Sequence, residues 1–151
     1  MIFSFGDSYE GEFKNDNIDG MGIYVFGMTG EEYQGHFKNG VRDGQGTIIY
    51  RDGKKYIGDL RSGKCHGVGT LYQPDAQMIY EGHWESDLFH GEGTLYLHNT
   101  TGGKYVGNLF KGKKEGFGTL YDANSQKIYE GHWNLDARDG HGVCNFSNGD
   151  R

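Results

Sequence analysis

The chain has 151 residues, of which 28 are glycine, 11 tyrosine, 9 phenylalanine and one proline. This composition excludes collagen, which needs abundant proline, and long helices, in which each interior glycine costs about 1 kcal/mol relative to alanine. With 15 basic and 21 acidic residues the net charge is −6, which disfavours general nucleic-acid binding.

The N-terminal segment and the cysteines bear on the compartment. Residues 1–7 lack the basic region and apolar core of a signal peptide, and no apolar run approaches the roughly 18 residues of a membrane helix. Cys65 and Cys144 lie far apart, in no metal-ligand spacing. We therefore expect free thiols in a reducing compartment and a cytoplasmic location.

An internal repeat runs through the whole chain. A Tyr-x-Gly triplet occurs six times, and a Gly-x-Gly triplet always begins nine residues after its glycine. The six units start at Tyr9, Tyr33, Tyr56, Tyr80, Tyr105 and Tyr129. The return to the next tyrosine takes 10 to 12 residues. One turn is therefore fixed in length and the other tolerates insertion, as a surface loop does.

Each unit predicts a β-hairpin. The first strand reads Tyr-x-Gly-x-Φ, where Φ is Phe13, Phe37, Leu60, Trp84, Leu109 or Trp133. The second strand is Gly-x-Gly followed by β-forming residues. Between the strands, the third residue after Φ is always glycine or aspartate, so we expect positive φ angles in a short turn.

Side-chain alternation separates two faces of the predicted sheet. Tyr, Gly and Φ share one face with both glycines of Gly-x-Gly, and we infer that aromatic rings lie over the bare glycines. The opposite face carries Thr47, Thr70, Thr94 and Thr119. One hairpin cannot bury its aromatic face alone, so the units must stack. The predicted fold is all-β, an elongated, twisted, single-layer antiparallel sheet of consecutive hairpins.

The unit Tyr-x-Gly-x-Φ-x-x-Gly-x-x-[His/Asp/Glu]-Gly-x-Gly resembles the MORN repeat (membrane occupation and recognition nexus), over essentially the whole chain. Aspartate replaces the mid-turn glycine in repeats 1, 4 and 6, and leucine replaces the aromatic Φ in repeats 3 and 5. The resemblance implies a ribbon of hairpins with a groove along one face, no catalysis by the repeats, and a role in protein binding. The family includes axonemal radial-spoke heads, parasite cytoskeletal proteins and membrane-junction proteins.

Both ends of the chain read as ordinary repeat sequence. Residues 3–9 look like the tail of a preceding unit, and residues 146–151 stop where the next tyrosine would come. Repeat arrays normally end in altered, polar caps. We therefore expect residues 1–151 to form a single array that is a segment of a longer one, or that pairs through its open edges.

The aromatic face is the first candidate binding site. Part of it must cover glycine, and what stays exposed would suit an apolar helix or peptide, because Trp and Tyr dominate binding hot spots. The predicted groove comprises Tyr9, Phe13, Tyr33, Phe37, Tyr56, Tyr80, Trp84, Tyr105, Tyr129 and Trp133. Trp84 and Trp133 are its best single candidates.

Basic residues of repeats 3 and 5 form the second candidate. The group comprises Arg51, Lys54, Lys55, Arg61, Lys64, Lys104, Lys111, Lys113 and Lys114. This group is interpreted as a patch for phosphoinositides or for an acidic partner, and at an anionic membrane each basic residue contributes about 1 kcal/mol. The competing interpretation is a solvated surface balanced by aspartate and glutamate.

Two further patterns are interpreted as structural. Gly-x-Gly recurs six times and opens a strand, unlike the G-x-G-x-x-G of a dinucleotide site between a strand and a helix. His36, His83 and His132 recur in alternate repeats, too far apart to chelate one ion. His66 and His90 precede Gly-x-Gly, where a hydrogen bond to turn backbone is the simpler role. We expect no metal, no cofactor and no catalytic residues.

These patterns together favour a non-enzymatic protein-interaction scaffold that presents an aromatic groove. The resemblance to the MORN family implies a cytoskeletal and ciliary setting for it. The alternative is a membrane-surface module that uses the lysines of repeats 3 and 5. No nucleic-acid partner is expected, and self-association through open edges is compatible with the pattern.

Overall fold

A computed structural model of the chain describes residues 6–98 and 102–144. The chain forms two compact units, residues 1–77 and 78–151. The predicted tail at residues 3–5 and the predicted open end at residues 146–151 lie outside the described residues. Within the described ranges, no helix has the length and apolarity that crossing a membrane requires.

Each unit is one six-stranded antiparallel sheet whose strands follow chain order. The first unit contains β1 (Ser8–Lys14), β2 (Asn17–Val25), β3 (Glu32–Lys38), β4 (Val41–Ile49), β5 (Lys55–Arg61) and β6 (Lys64–Tyr72). The second contains β7 (Met78–Glu85), β8 (Leu88–Tyr96), β9 (Lys104–Phe110), β10 (Lys113–Tyr121), β11 (Lys127–Asn134) and β12 (Ala137–Cys144). The predicted all-β class and the antiparallel order of consecutive hairpins are confirmed.

The turn inside each hairpin has two residues, and both have positive φ. In repeat 1 these are Asn15 (φ 51°) and Asp16 (φ 66°), and in repeat 2 they are Asn39 (φ 49°) and Gly40 (φ 81°). Two consecutive positive φ angles define the type I′ turn, whose twist matches that of the flanking strands. The positive φ predicted for the Gly or Asp position is confirmed. Aspartate can replace glycine there because it tolerates the left-handed region better than most residues do.

A bulge follows each turn, and the sequence analysis did not anticipate it. In repeat 1 the register passes from Phe13 opposite Ile18 to Gly11 opposite Gly22, so three residues of β2 face one residue of β1. The first glycine of Gly-x-Gly sits in this bulge with φ between 80° and 97° in repeats 1 to 5. The first glycine is therefore needed for its positive φ angle, whereas the second glycine is needed for the space that it leaves above the sheet.

The second glycine lies under the tyrosine ring of its own repeat. A β-carbon added to Gly46 would collide with the Tyr33 ring, and one added to Gly93 would collide with the Tyr80 ring. The same holds in the other four repeats. The inferred packing of aromatic rings over bare glycines is thus confirmed, and this packing forms the core of each sheet.

Candidate functional site

The two faces of each sheet differ in what they bury. We call the side that carries the six repeat tyrosines the tyrosine face, and the side that carries the four threonines the threonine face. All six tyrosines are buried, with side chains no more than 2% exposed. Side chains that alternate with these tyrosines along each strand point to the threonine face. The threonine face is therefore the more exposed side of each sheet.

Each repeat tyrosine is also fixed through its hydroxyl. Tyr33 donates to the backbone carbonyl oxygen of His36 at 2.7 Å, and Tyr80 does the same to His83 at 2.8 Å. The remaining four make the equivalent bond to the third residue downstream. Burial raises the pKa of Tyr33, Tyr80 and Tyr105 to about 12. Buried, hydrogen-bonded phenols of this kind stabilise the fold in their neutral form.

The Φ residues pack edge-on between tyrosine rings. The Phe37 ring centroid lies 5.5 Å from that of Tyr9 and 5.0 Å from that of Tyr33, with nearly perpendicular planes. Trp133 bridges Tyr105 and Tyr129 in the same way, at 5.4 and 5.2 Å. Edge-to-face pairs of this kind contribute about 1 kcal/mol each beyond area burial.

The ten predicted groove residues therefore differ in exposure. Nine are buried, including Trp84 at 6% and Trp133 at 5%, whereas Phe13 is 46% exposed. The Trp133 indole N–H donates to the Gly118 carbonyl oxygen at 3.2 Å. Partner binding by these residues stays a prediction. In the free chain the tyrosines and tryptophans pack against their own sheet.

One position on the tyrosine face escaped the sequence analysis. The second residue after each turn lies opposite Φ, and it is basic in three repeats. Arg42 lies 5.7 Å from the Tyr33 ring, Lys114 lies 5.3 Å from the Trp133 ring and Arg138 lies 5.2 Å from the Tyr129 ring. These cation–π contacts cover the edges of the aromatic rows. The bulge sets the register that places each basic residue opposite Φ. The sequence alone did not predict that register, and it therefore did not predict these contacts.

The threonine face exposes apolar side chains in both units. In the first unit these include Met21, Ile57 and Val68, and in the second they include Val106 and Phe117. These five are between 38% and 53% exposed. The x of Gly-x-Gly, which supplies three of them, also holds Gln45 and Glu92 in other repeats. This position varies freely because its side chain projects into solvent.

A denser apolar group occurs near the hairpin turns of repeats 4 and 5. Leu88 and Phe110 are each 45% exposed. They line an open depression of about 330 Å³ with His90, whose ring centroid is 5.0 Å from that of Phe110. The corresponding position to Phe110 is Lys14, Lys38 or Arg61 in the first unit. In the second unit this position holds Glu85, Phe110 and Asn134, so Phe110 is its one apolar residue among the six repeats.

The predicted basic patch falls on several parts of the two sheets. Arg51 and Lys54 lie in the loop between β4 and β5, whereas Arg61 and Lys64 flank the turn between β5 and β6, at the other end of β5. Lys104 begins β9, and Lys111 lies in the turn that ends it. At about 3.3 Å per residue, the two ends of these strands are about 20 Å apart. The residues therefore do not form one cluster, and their lipid binding stays a prediction.

A different basic row is brought together in the first unit. Lys14, Lys38 and Arg61 occupy the same position in repeats 1, 2 and 3, one residue after Φ, and Lys64 lies across the turn from Arg61. All four side chains are exposed. Alternate strands of a sheet are about 9.6 Å apart, so this row is continuous along the turn end of the unit. Lys14 and Lys38 line a surface depression together with Asp19 and Asp43. The two carboxylates balance the positive charge of the two lysines there.

The residue before Gly-x-Gly joins consecutive repeats. Asp19 accepts a hydrogen bond from the Asn39 backbone N–H at 3.0 Å, and His90 accepts one from the Lys111 backbone N–H through Nδ1 at 3.3 Å. The predicted backbone-bonding role of this position is confirmed for these residues. In the described part of the chain, no group of three or more His, Cys, Asp or Glu residues could hold a metal ion. Cys65 is buried and forms no disulfide within the described ranges, and its Sγ lies 3.7 Å from the Tyr50 hydroxyl oxygen, whereas the Cys144 side chain lies outside the description.

The MORN repeat family model matches six segments, residues 9–29, 33–55, 56–77, 80–101, 105–127 and 129–151. The chain therefore belongs to the MORN repeat family, and its six repeats start at the tyrosines of the pattern. MORN repeats are non-enzymatic modules that mediate interactions with proteins or membranes. No curated protein matches the chain.

Proposed function

We propose that this chain is a non-enzymatic scaffold that binds protein partners in the cytoskeleton, and in particular in cilia. Membership of the MORN family supports a role in molecular interaction. The ciliary setting rests on the resemblance to a family that includes axonemal radial-spoke heads. A cytoplasmic location follows from the same proposal.

The observation that carries the proposal is the exposed apolar surface of the threonine face. Phe117 is 51% exposed, and its ring centroid lies 5.8 Å from that of His132. Val106 lies on the neighbouring strand, on the same face. Clusters of exposed apolar side chains on a soluble sheet mark interaction surfaces, and buried aromatic anchors dominate their energetics. A helix or peptide with one apolar side fits such a flat surface.

The tyrosine face is the second surface available to the same partner. Its rings are buried, so a partner there would contact the side chains at its margins, such as Arg42 and Lys114. Both are partly exposed and already lie against aromatic rings. The two faces can be distinguished by mutation, since substitutions at the threonine face leave the tyrosine packing intact.

A pull-down from ciliated-cell extract with mass spectrometry tests the proposal. We expect the wild-type chain to enrich axonemal or motor proteins and Phe117→Ala to lose them with its unfolding free energy unchanged. The control is Met28→Ala, which removes an exposed apolar side chain from the loop between β2 and β3 and should leave the partner bound. Retention of the partner by Phe117→Ala, with loss by Trp133→Ala at unchanged stability, would move the site to the tyrosine face. Enrichment of no cytoskeletal protein would contradict the cytoskeletal proposal.

A membrane-surface role is the alternative, and the basic row of the first unit favours it. Lys14, Lys38, Arg61 and Lys64 make no ion pair within 4.0 Å in the described part of the chain. Flotation with vesicles containing phosphoinositide tests this role. Salt-sensitive flotation that Lys38→Glu abolishes, and that Lys104→Glu does not, would support the row. Absence of flotation would exclude the alternative.

A further inference from the structure

Consecutive repeats within each unit are joined by a side chain that accepts a backbone N–H group from the turn of the next hairpin. At three of these junctions the acceptor is a carboxylate, from Asp19, Asp43 or Glu115. At the junction of repeats 4 and 5 the acceptor is the imidazole of His90, whose Nδ1 lies 3.3 Å from the Lys111 backbone nitrogen. This junction therefore differs from the other three in the chemistry of its acceptor.

The hydrogen bond to the turn fixes the protonation state of His90. A backbone N–H group can only donate, so Nδ1, which faces Lys111, must offer a lone pair and not a proton. The proton of the neutral ring is then on Nε2, which lies 3.1 Å from a carboxylate oxygen of Glu85 on β7. In the neutral ring, Nδ1 is therefore an acceptor and Nε2 is a donor, and both have partners.

A second proton on the ring removes the bond to the turn. In the imidazolium both ring nitrogens are donors, so the Nδ1–H of His90 and the N–H of Lys111 would face each other with no acceptor between them. The Nε2–H bond to Glu85 persists in the charged ring and becomes an ion pair. The ring therefore keeps its contact with β7 in both states, and only its bond to the turn depends on the proton.

Two charged groups face the His90 ring in the depression that it lines, Glu85 from β7 and Lys111 from the turn between β9 and β10. The Glu85 side chain is 56% exposed, so its attraction to an imidazolium is modest. The Lys111 ammonium opposes a second positive charge nearby. Phe110, the β9 residue that contacts the ring, is uncharged. The two charges act in opposite directions, and the lost hydrogen bond decides that protonation weakens the junction.

We propose that the junction of repeats 4 and 5 is a pH-sensitive contact, closed while His90 is neutral and loosened when Nδ1 takes up a proton. Histidine is the side chain that ordinarily changes charge between about pH 5 and about pH 8, whereas carboxylates stay ionised over most of this range. Because the bond requires the neutral ring, its contribution is complete at the upper end of the range and is lost as the pH falls. The three carboxylate junctions should not respond.

The expected change is local to the turn after β9. The Gly112 N–H also donates to the Phe89 carbonyl oxygen at 2.8 Å, and this second bond does not involve the histidine. The turn should therefore loosen at Lys111 without detaching from β8. Phe110 and Leu88 line the same depression as His90, so its shape should change with the turn. This inference goes beyond the proposed function and does not depend on any partner.

Amide hydrogen exchange followed by NMR, at about pH 8 and at about pH 5.5, tests the proposal on the whole chain. Exchange is expressed as a protection factor, which removes the intrinsic dependence of the chemistry on pH. We expect the protection of the Lys111 amide to fall about fivefold on acidification. The Ser62 amide, which donates to Asp43, is the internal control and should keep its protection. The ring nitrogen chemical shifts of His90 should show the Nε2–H tautomer at the higher pH.

His90→Asp is the matched variant, since aspartate holds this position in repeats 1 and 2. It should protect the Lys111 amide equally at both pH values, whereas His90→Ala should protect it at neither. Circular dichroism and urea unfolding establish that each variant is folded. An Nδ1–H tautomer at the higher pH would overturn the proposal. So would wild-type protection of Lys111 that does not change on acidification, or an equal loss of protection in His90→Asp.

Discussion

The two faces of each sheet are formed by alternate residues of the same strands, yet one face is buried and the other is exposed to solvent. Tyr56 is fully buried, whereas its neighbour Ile57 is 45% exposed. Sheets normally bury a face against a second layer. Here the tyrosine face supplies its own cover, because each ring lies flat on the space that a glycine leaves empty. A single-layer sheet can therefore hold a core on one side and leave the other side open.

This difference separates the positions that maintain the fold from those that vary. On the tyrosine face the repeat tyrosine is invariant through six repeats. On the threonine face the x of Gly-x-Gly is Met21, Gln45, Val68, Glu92 or Phe117 in the first five repeats. We therefore expect the tyrosine face to determine the stability of the fold, whereas partner selection by the threonine face stays a proposal.

The largest expected effect is the difference in unfolding free energy between truncations of two neighbouring residues, one on each face. Tyr56→Ala removes a ring that covers Gly69 and the hydrogen bond to the Asp59 carbonyl oxygen, and it should cost about 4 kcal/mol. Ile57→Ala, one residue on, should cost about 1 kcal/mol or less. Urea unfolding of both variants measures the difference. Equal costs would contradict the separation of the faces.

Filling the space beneath a ring should have the next largest effect. Gly46→Ala places a methyl group against the Tyr33 ring and should cost about 3 kcal/mol, because the ring must leave its site. The adjacent substitution Gln45→Ala lies on the threonine face and should change the unfolding free energy by about 0.5 kcal/mol at most. A neutral Gly46→Ala would show that the ring does not need the glycine.

Alkaline pH should lower the free energy of unfolding by ionising the buried tyrosines of the tyrosine face. Burial raises the pKa of Tyr33, Tyr80 and Tyr105 to about 12 from an unfolded value near 10. A raised pKa means that the neutral phenol is favoured in the folded state. This stabilisation is complete below about pH 10 and is lost as the pH rises through about 12. Urea unfolding at a series of alkaline pH values measures the loss, and a flat profile would refute it.

Removing a single buried hydroxyl should have a smaller effect. Tyr33→Phe keeps the ring over Gly46 but leaves the His36 carbonyl oxygen without its 2.7 Å hydrogen bond, at a cost of about 1 kcal/mol. The control is Tyr121→Phe, whose hydroxyl makes no hydrogen bond among the described residues and whose removal should be neutral. If both substitutions cost the same, the hydroxyl bond contributes nothing specific.

The sequence predicted the hairpins, the turn angles and the aromatic-over-glycine packing, because each follows from a local pattern that recurs six times. Tyr80 over Gly93 and the positive φ of Asp87 are both readable from spacing alone. The bulge was not predicted, because both glycines of Gly-x-Gly look alike in sequence. In the fold, Gly44 supplies a backbone angle of 97° and Gly46 supplies space.

The candidate sites were harder to predict, for a related reason. Aromatic residues such as Trp84 are enriched both in binding sites and in cores, and composition cannot separate the two roles. The exposed apolar residues of the threonine face have no repeating identity, so they carried no periodic signal. The basic row of Lys14, Lys38 and Arg61 gives no local signal in the sequence, because its members are 24 and 23 residues apart and are aligned only by the stacking of the hairpins.

Hydroxyl-radical footprinting with residue-level mass spectrometry tests whether the tyrosine face is the buried side of each sheet, since it reports the solvent exposure of individual side chains. In the native state we expect rapid oxidation of Met21 and Phe117. We also expect protection of Tyr33, Tyr80, Trp84 and Trp133, with all of them oxidised once the chain is unfolded in urea. Native oxidation of the tyrosines and tryptophans, with protection of Met21 and Phe117, would reverse the roles of the two faces and contradict the account.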